Sequence, residues 1–507
     1  MTVVQSMLIF LRMKQTRTTA LYRLIALLPA LVLVAACSAN PATGKQSFTA
    51  FMTPEKEIQV GAEEHPKMVK QFGGEFTDDD WNVYVRDIGL KLASYSEMPN
   101  LPWTFTVLND TQVNAFALPG GYVYITRGLL ALVSDEAEMA GVLSHEIGHV
   151  TARHTAQRYS STVAANLGIQ VLGVLTSAAG LPGAENLAAV GAELALKSYS
   201  RDQELESDSL GVRYMTRAGY DPQAMTSFFK KLSAHQRIEG LIAGDPNAAE
   251  KHSMLATHPR TADRIVQAID LADHNGANAT RREAQHYLAK VDGLVFGDDT
   301  DQGLVRGTTF THPDLRFRFD VPEGFTLRNT PAMVLATDDK DNSIKFSDAS
   351  VKDVQDAGGM KAYLTKKWSG DANLTKVEWI DVNGMKAVTG AATLWTGKRN
   401  VDVRRIVIEQ NKDQYWRFQF VSGTDDTARL NEQYRRTTYS FRTLTRAEAR
   451  RVQPWRVRVV TVGKGVTFND LVGSMAVNEY QKEWFEALNG IGPDDPLVPG
   501  MRVKVVK

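Results

Sequence analysis

Cysteine is almost absent from this sequence, and neither sign of charge is in excess. The 507-residue chain contains one cysteine, Cys37, so no disulfide can form within it. The 58 lysine and arginine side chains are balanced by 58 aspartate and glutamate side chains, which gives a formal net charge of zero. Because nucleic-acid binding requires a basic surface, we expect no nucleic-acid partner.

Long stretches without charge are also rare, and one of them lies between Arg158 and Glu185. It is long enough to cross a membrane. Polar side chains interrupt it, however, and it contains the glycines Gly168, Gly173, Gly180 and Gly183. We therefore predict a mobile apolar helix and loop that cover a cleft, with membrane contact as the alternative.

Another apolar run, Leu24–Ala36, follows the basic residues Lys14, Arg17 and Arg23. It is shorter than the roughly 20 residues that a membrane-spanning helix needs. A basic region before a short apolar run is typical of a secretory signal peptide, which we predict for residues 1–36.

Cys37 comes directly after this run. The letters VAAC, which end at Cys37, resemble the lipobox of bacterial lipoproteins. The resemblance implies a lipid on Cys37, and Ser38 in the next position implies sorting to the outer membrane, facing the periplasm. Residues 37–52 would then be a lipidated linker. The alternative is an ordinary buried thiol.

Histidine is scarce, yet two of the ten histidines lie four residues apart in SHEIGHV, residues 144–150. The surrounding run from Glu136 is rich in helix formers, and Ser134 can cap its start. On a helix, His145 and His149 share one face and can bind one metal ion. Glu146, about 100° further round, could act as general base for a water molecule at a zinc ion.

A third ligand is expected, because catalytic zinc has three protein ligands and an open position. His154 lies nine residues past His145, which on a continuing helix is the opposite side, and we discount it. In RDQELESDSLG, Glu204 and Asp208 share a helical face and Glu206 points away. We predict Glu204 as the ligand and Asp208 as the acceptor of a ligand histidine's other N–H. The alternative is a solvated acidic face.

Four motifs occur in order over roughly residues 50–290: NAFALPGGYVYITRGLL, DEAEMAGVLSHEIGHV, SRDQELESDSLG and ATHPRTADRI. Together they resemble the gluzincin metallopeptidases related to the CaaX prenyl protease, and most of all their bacterial periplasmic branch. Carried over residue by residue, the resemblance implies one zinc ion per chain. It implies the same roles as the spacing does. The zinc ligands are His145, His149 and Glu204, the base is Glu146, and the acceptor of a histidine N–H is Asp208.

The resemblance also implies roles for two further segments. Asn114–Leu118 would be an edge strand that pairs with an extended substrate, and the residues implied are Asn114, Ala115, Phe116 and Ala117. A core strand is the alternative. His258 precedes a proline suited to the first turn of a helix. Its counterpart lies near the metal, where it steadies the oxyanion or fills the open position as a brake; the alternative is an ordinary helix cap.

The length of the chain favours several domains. Residues 53–295 are expected to be a mainly α gluzincin-type peptidase domain with a small edge sheet. From residue 300 the apolar pattern changes to period two, with an Asn-Gly hairpin signal, which predicts an α+β domain of unknown role over residues 300–447.

Residues 455–507 are predicted to form strand, helix, helix and strand. VVTVGKGVTFNDLV, WFEALNGI and LVPGMRVKVV resemble a divergent LysM module, although GKGVT departs from the usual Gly-Asp-Thr opening. The resemblance implies peptidoglycan as a partner. A structural cap that binds nothing is the alternative.

Taken together, the resemblances imply a zinc endopeptidase that is held by lipid at the periplasmic face of the outer membrane of a Gram-negative bacterium. Its substrates would be extended or misfolded envelope polypeptides. One alternative is a chaperone-like scaffold that rarely cleaves. Another is a hydrolase of peptidoglycan stem peptides, which the C-terminal module favours.

Overall fold

The computed structural model of the chain describes residues 37–174, 198–244, 279–370 and 372–507, together with Met254, His258, Arg264, Gln267 and Asp270. The predicted signal peptide, residues 1–36, lies outside the described residues, as does the part of the uncharged segment from residue 175 onward. Within the described residues, no helix is both long and apolar enough to cross a membrane.

Residues 37–52 contact the rest of the protein. Strands β1 (Cys37–Ala39) and β2 (Gln46–Phe48) form an antiparallel hairpin in which Cys37 is opposite Phe48. Asn40 donates a hydrogen bond to the carbonyl of Ala152 at 3.2 Å. These contacts bind residues 37–52 to the helical core, and their role as a lipidated linker stays a prediction.

Two helices follow, α1 (Pro54–Gln71) and α2 (Asp79–Ala93). The next element is a small sheet with strand order β3-β5-β4, formed by β3 (Thr104–Leu108), β4 (Ala115–Leu118) and β5 (Tyr122–Thr126). Strand β3 is parallel to β5, and β4 is antiparallel to β5. Strand β4 is therefore an edge strand.

Six further helices are described in the peptidase region. They are α3 (Arg127–Leu132), α4 (Glu136–Thr151), α5 (His154–Val174), α6 (Arg201–Arg217), α7 (Gln223–Ala243) and α8 (Ala284–Val291). The expected cap of α4 at Ser134 is one residue early. Asp135 is the N-cap, and its side chain accepts the backbone N–H of Glu138.

Helix α4 does not continue to His154. It ends at Thr151, and Arg153 has a left-handed backbone with φ of 56°. The Arg153 side chain is buried and donates to the Met52 carbonyl at 2.6 Å and to the Glu57 carboxylate at 3.1 Å. These contacts hold the chain in a sharp turn between α4 and α5.

Residues 304–443 contain two antiparallel sheets. The smaller sheet has strand order β17-β9-β8-β7, with β7 (Leu304–Arg306), β8 (Thr309–His312), β9 (Phe317–Asp320) and β17 (Arg442–Thr443). The larger sheet is formed by β10 (Thr326–Asn329), β11 (Val334–Thr337), β12 (Ser343–Ala349), β13 (Thr375–Val382), β14 (Met385–Trp395), β15 (Asn400–Asn411) and β16 (Gln414–Gly423). Its strand order is β10-β11-β12-β16-β15-β14-β13.

The predicted Asn-Gly hairpin is the connection from β13 to β14. Asn383 and Gly384 both have positive φ, 53° and 84°, as a two-residue hairpin turn requires. The helices of this region are α9 (Val351–Asp356), α10 (Met360–Ala362), a π-helical turn (Tyr363–Trp368) and α11 (Thr427–Ser440). Aromatic side chains from both sheets and from α11 share one core.

The chain then runs through α12 (Arg446–Arg451) to the predicted strand, helix, helix and strand: β18 (Trp455–Thr461), α13 (Phe468–Gly473), α14 (Gln481–Asn489) and β19 (Arg502–Val506). Strand β18 pairs with β19 and also with β6 (Val295–Phe296), which follows α8.

Candidate metal centre

Glycines bring α4 and α6 into close contact. A Cβ atom on Gly148 would lie 2.7 Å from the Ser207 hydroxyl, and one on Gly211 would lie 3.1 Å from the backbone nitrogen of His145. The Ser207 hydroxyl donates to the His145 carbonyl. Helix α6 therefore lies directly against the turn of α4 that carries the two histidines.

His145 and His149 face each other across one turn of α4, and both side chains are buried. Their Nε2 atoms lie 3.0 Å apart. Nδ1 of His145 lies 2.9 Å from a carboxylate oxygen of Asp208. Because a carboxylate only accepts hydrogen bonds, this contact favours the proton on Nδ1 and leaves a lone pair on Nε2 of His145.

The position of the proton on His149 follows in the same way, because His149 contacts His154 and His154 contacts Glu206. Nε2 of His154 lies 3.1 Å from the Glu206 carboxylate, so its proton is on Nε2 and its Nδ1 is an acceptor. Nδ1 of His149 lies 2.8 Å from Nδ1 of His154 and must be the donor. Nε2 of His149 therefore also presents a lone pair, and two lone pairs 3.0 Å apart favour a cation that both nitrogens can bind.

Glu204 and His258 complete the cluster. Nδ1 of His258 lies 3.2 Å from Nε2 of His145 and 3.0 Å from Oε1 of Glu204. Oε1 of Glu204 is in turn 3.4 Å from Nε2 of His149. The ligand atoms of all four buried residues lie within 4.8 Å of one another. Atoms at the corners of a tetrahedral zinc site are about 3.3 Å apart, so this donor set fits zinc.

Arg264 forms ion pairs with two carboxylates at the cluster, those of Asp208 and Glu204. Its guanidinium contacts both oxygens of Asp208, at 2.7 and 2.8 Å, and approaches Glu204 to 2.6 Å. Burial alone would raise the pKa of Asp208, but the charge and hydrogen bonds of Arg264 outweigh it and lower the pKa. Asp208 is therefore ionised and can hold the His145 ring in place.

Glu146 is adjacent to the cluster and is fully buried. Neither of its carboxylate oxygens has a hydrogen-bond partner among the described residues; Nε2 of His258 lies 3.4 Å from Oε1. Burial raises the pKa of the Glu146 carboxyl group. A buried carboxylate left without a partner beside a metal site is available to take a proton from water.

Three residues of the site were not expected from the sequence. His154 is not in the cluster of possible ligands, but the assumption of a continuous helix, on which it is discounted, is wrong because α4 ends at Thr151 and His154 contacts His149. Glu206 points away from the metal ligands but holds His154. Tyr199 stacks on His149 with ring centroids 3.7 Å apart. The left-handed Arg153 that redirects the chain has no local sequence signal.

The predicted substrate strand lies next to this centre. Ala115, Phe116 and Ala117 are in β4, and Asn114 directly precedes it. On the side away from β5, β4 pairs with no other strand of the described residues. A cleft beside β4 is lined by Ala117 and Leu118 on one side and by His149 on the other.

The chain matches the family model described as peptidase family M48 over residues 81–272. This range contains β4, α4, α6 and His258. Residues 81–272 are thus similar to the peptidases of family M48. The family uses zinc, in agreement with the donor set.

The chain is also similar to curated proteins that are named as proteases or endopeptidases. A Vibrio cholerae protein provisionally named a beta-barrel assembly-enhancing protease is 32% identical over 50% of this chain and 52% of its own length. The Yersinia pestis beta-barrel assembly-enhancing protease is 31% identical, over 43% of this chain and 44% of its own. The mitochondrial metalloendopeptidase OMA1 of Arabidopsis thaliana is 32% identical, over 43% and 42%. The chain thus spans about half the length of the curated relatives it matches.

Among solved structures, cyanobacterial PsbP from Synechocystis matches 28% of this chain and 95% of its own length, at 16% identity and a TM-score of 0.22. A likeness at this level supports no conclusion about the fold or role of any part of this chain.

Proposed function

We propose that the protein is a zinc endopeptidase that hydrolyses peptide bonds of extended or misfolded cell-envelope polypeptides. Glu146 carries the proposal: it is buried, has no hydrogen-bond partner among the described residues, and lies beside a cluster of side chains that could bind zinc, within the segment that matches family M48. The names of the bacterial relatives, which refer to beta-barrel assembly, support the envelope as the place of action.

Zinc, held by His145, His149 and Glu204, would supply a Lewis acid that polarises the scissile carbonyl. Glu146 takes the proton of the attacking water and passes it to the leaving amine. Its pKa, which burial raises, suits both tasks, since a carboxylate that binds a proton more tightly than usual can take it from water and later release it. Asp208 and His154 hold the two ligand imidazoles in the required tautomers.

His258 is proposed as a brake on this centre. Its Nδ1 atom is close to both His145 and Glu204, where it could serve as a fourth ligand of a bound zinc ion. A site with four protein ligands has no place left for water or substrate. Release of His258 would open that place. In the alternative role, His258 steadies the oxyanion of the transition state.

The edge of β4 is proposed to pair with the substrate backbone, through Asn114, Ala115, Phe116 and Ala117. Pairing of this kind uses main-chain hydrogen bonds and so places little demand on substrate sequence. This fits a peptidase that acts on many unfolded polypeptides.

Cys37 is proposed to carry the lipid that holds the protein at the periplasmic face of the outer membrane. Strand β1 begins at Cys37, and Ser38 in this strand accepts a hydrogen bond from Arg153 at 3.2 Å. Arg153 is the residue before His154. A lipid at Cys37 would thus place the peptidase domain close to the membrane surface.

The test compares wild type with Glu146→Gln, each purified with zinc and incubated with envelope extracts. Peptides released by wild type alone identify substrates. We expect Glu146→Gln to retain zinc and to lose cleavage by roughly 10²- to 10⁴-fold. Substantial cleavage by the variant would contradict the mechanism. Preserved envelope function without cleavage would favour the chaperone-like scaffold, in which the cleft holds clients.

A further inference from the structure

The last 53 residues, 455–507, share one hydrophobic core with the peptidase domain. Buried residues such as Phe485, Leu488 and Val505 belong to the same cluster as Leu132 and Leu143. Trp484 of α14 packs edge-on against Phe296 of β6, with ring centroids 5.1 Å apart. A freely attached binding module would keep a core of its own.

One buried lysine makes the most specific contact between the two parts. Lys504, in β19, is fully buried, and its ammonium group donates to three carbonyls of the peptidase domain. These are the carbonyls of Ala131, Leu132 and Val133, at 2.8, 2.8 and 2.7 Å. All three N–H bonds of the ammonium are used, and no carboxylate of the described residues forms an ion pair with it.

The three carbonyls lie at the C-terminal end of α3, two residues before α4 begins. Carbonyls at a helix C-terminus have no partner within the helix and carry partial negative charge, so they attract the Lys504 amino group, although burial and the charge of Lys231 lower the pKa of this lysine well below its usual range. Asn489 fixes the lysine's backbone by accepting its N–H at 2.7 Å and donating to its carbonyl at 2.9 Å.

The start of α4 is held by a second set of contacts at the same place. The Ser134 hydroxyl donates to the Leu488 carbonyl of α14 at 3.1 Å. The Ser134 backbone N–H donates to Glu138, whose carboxylate is paired with Lys231 of α7 at 2.8 Å. The C-terminal residues therefore fix the connection from which the metal-binding helix α4 starts.

We propose that residues 455–507 act as an internal clamp on the metal-binding helix and that Lys504 is a positioning residue for His145 and His149. Helix α4 is anchored at its start by the clamp and at its end by Arg153, with the metal ligands between these two points. Displacement of the start of α4 would shift the imidazoles relative to Glu204 on α6. This inference rests on the proposed function only for its activity readout, because metal affinity can be measured without any substrate.

The test uses full-length Lys504→Met, which keeps the length and apolar stem of the side chain but donates no hydrogen bond. Lys507→Met is the control, because the exposed Lys507 side chain donates to the Ser474 carbonyl, which belongs to the same C-terminal residues. We expect Lys504→Met to bind zinc roughly ten- to a hundredfold more weakly in chelator competition, as is typical when an orienting contact of a ligand is lost. Its kcat should fall while KM stays near the wild-type value, and Lys507→Met should match wild type in both.

Hydrogen exchange separates positioning from a general loss of stability. In Lys504→Met, faster exchange should be confined to residues 127–149, whereas a merely structural role would speed exchange throughout the core. Ser134→Ala, which removes only the bond to Leu488, provides a milder variant should Lys504→Met not fold, and should weaken zinc binding in the same direction. Wild-type zinc affinity in a folded Lys504→Met, or in Ser134→Ala, would overturn the proposal. Weak zinc binding with no peptidase activity even in wild type would instead count against the proposed function.

Discussion

At the residue scale, the metal centre depends on which nitrogen of each histidine carries the proton. Two acidic residues on α6 determine this, Asp208 directly and Glu206 through His154. The hydrogen bond from His154 lowers the pKa of Glu206 to about 2, so this carboxylate is ionised at any physiological pH. Both ligand histidines are thereby held with Nε2 free to bind metal.

Glu206→Gln tests the contact through His154. An amide can donate as well as accept, so it no longer dictates the tautomer of His154 or, through it, that of His149. We expect zinc affinity to fall by about tenfold, measured by competition with a chelator. Asp202→Asn, at an exposed position on the same helix, is the control and should bind zinc as wild type does. Equal zinc affinities of the two variants would mean that His154 and Glu206 do not influence zinc binding.

His258→Ala separates the two roles proposed for that histidine. If His258 fills the fourth corner at rest, its removal opens the site, and basal cleavage of casein should rise. If it instead steadies the oxyanion, the same change should lower turnover by roughly ten- to a thousandfold. We expect the rise, because Nδ1 of His258 lies among the ligand atoms. A loss of casein cleavage with zinc retained would overturn that choice.

Much of the centre could be predicted from spacing alone, because four-residue intervals on a helix fix a shared face. His145, His149, Glu204 and Asp208 were identified in this way. His154 could not be, since its place depends on the turn at Arg153. That turn is held by Met52 and Glu57, about a hundred residues earlier in the chain, and no local pattern encodes such a contact.

At the element scale, the site depends on the close packing of α4 on α6. A Cβ on Gly148 would lie 2.7 Å from the hydroxyl and 3.0 Å from the carbonyl oxygen of Ser207. The carbonyl belongs to the backbone of α6 and cannot rotate away. The two helices would have to separate, and His145 and His149 would then move away from Glu204.

Gly148→Ala should therefore destabilise the protein by about 1–3 kcal/mol, the usual range for overpacking. Denaturant unfolding of the metal-free protein measures this. Gly141→Ala in the same helix is the control, because there the new methyl group would meet the flexible side chain of Met225, at 3.0 Å. The control should be neutral or slightly stabilising, since alanine favours helix over glycine. Equal stability of the two variants would mean that the helices are not in the close contact described.

The type and order of the elements followed largely from periodicity and turn signals. The edge position of β4 and the Asn-Gly hairpin both agree with the sequence. Helix ends were less accurate, as the shift of the α4 cap from Ser134 to Asp135 illustrates, because neighbouring polar residues can each accept the same N–H group.

At the scale of the whole molecule, the structure adds contacts that the sequence-based domain description does not contain. The sequence predicts a lipidated linker over residues 37–52 and a LysM-like module, or else a structural cap, over residues 455–507. Both are bound to the peptidase domain, the first through Asn40 and Arg153 and the second through Lys504 and the shared core. Contacts between parts of a chain this far apart in sequence leave no periodic pattern.

Cys37→Ser tests the anchor. Without the cysteine no lipid can be attached, so the protein should be released to the soluble periplasm or remain as an uncleaved precursor. Metabolic labelling with a fatty-acid analogue, followed by membrane fractionation, measures both effects. Because a single acyl chain binds membranes only weakly, stable retention of wild type also requires several chains on the cysteine. Wild-type protein that takes up no label would exclude the lipid anchor.

The central claim is that His145, His149 and Glu204 hold a zinc ion at which Glu146 promotes peptide hydrolysis. It is tested most directly by titrating zinc into metal-free, full-length protein while casein cleavage is followed. We expect no cleavage without metal, a rise that levels off at about one zinc per chain, and no such saturation for His145→Ala or Glu204→Ala. Cleavage that is as fast in the metal-free protein as after zinc addition, or full zinc binding by Glu204→Ala, would contradict the account.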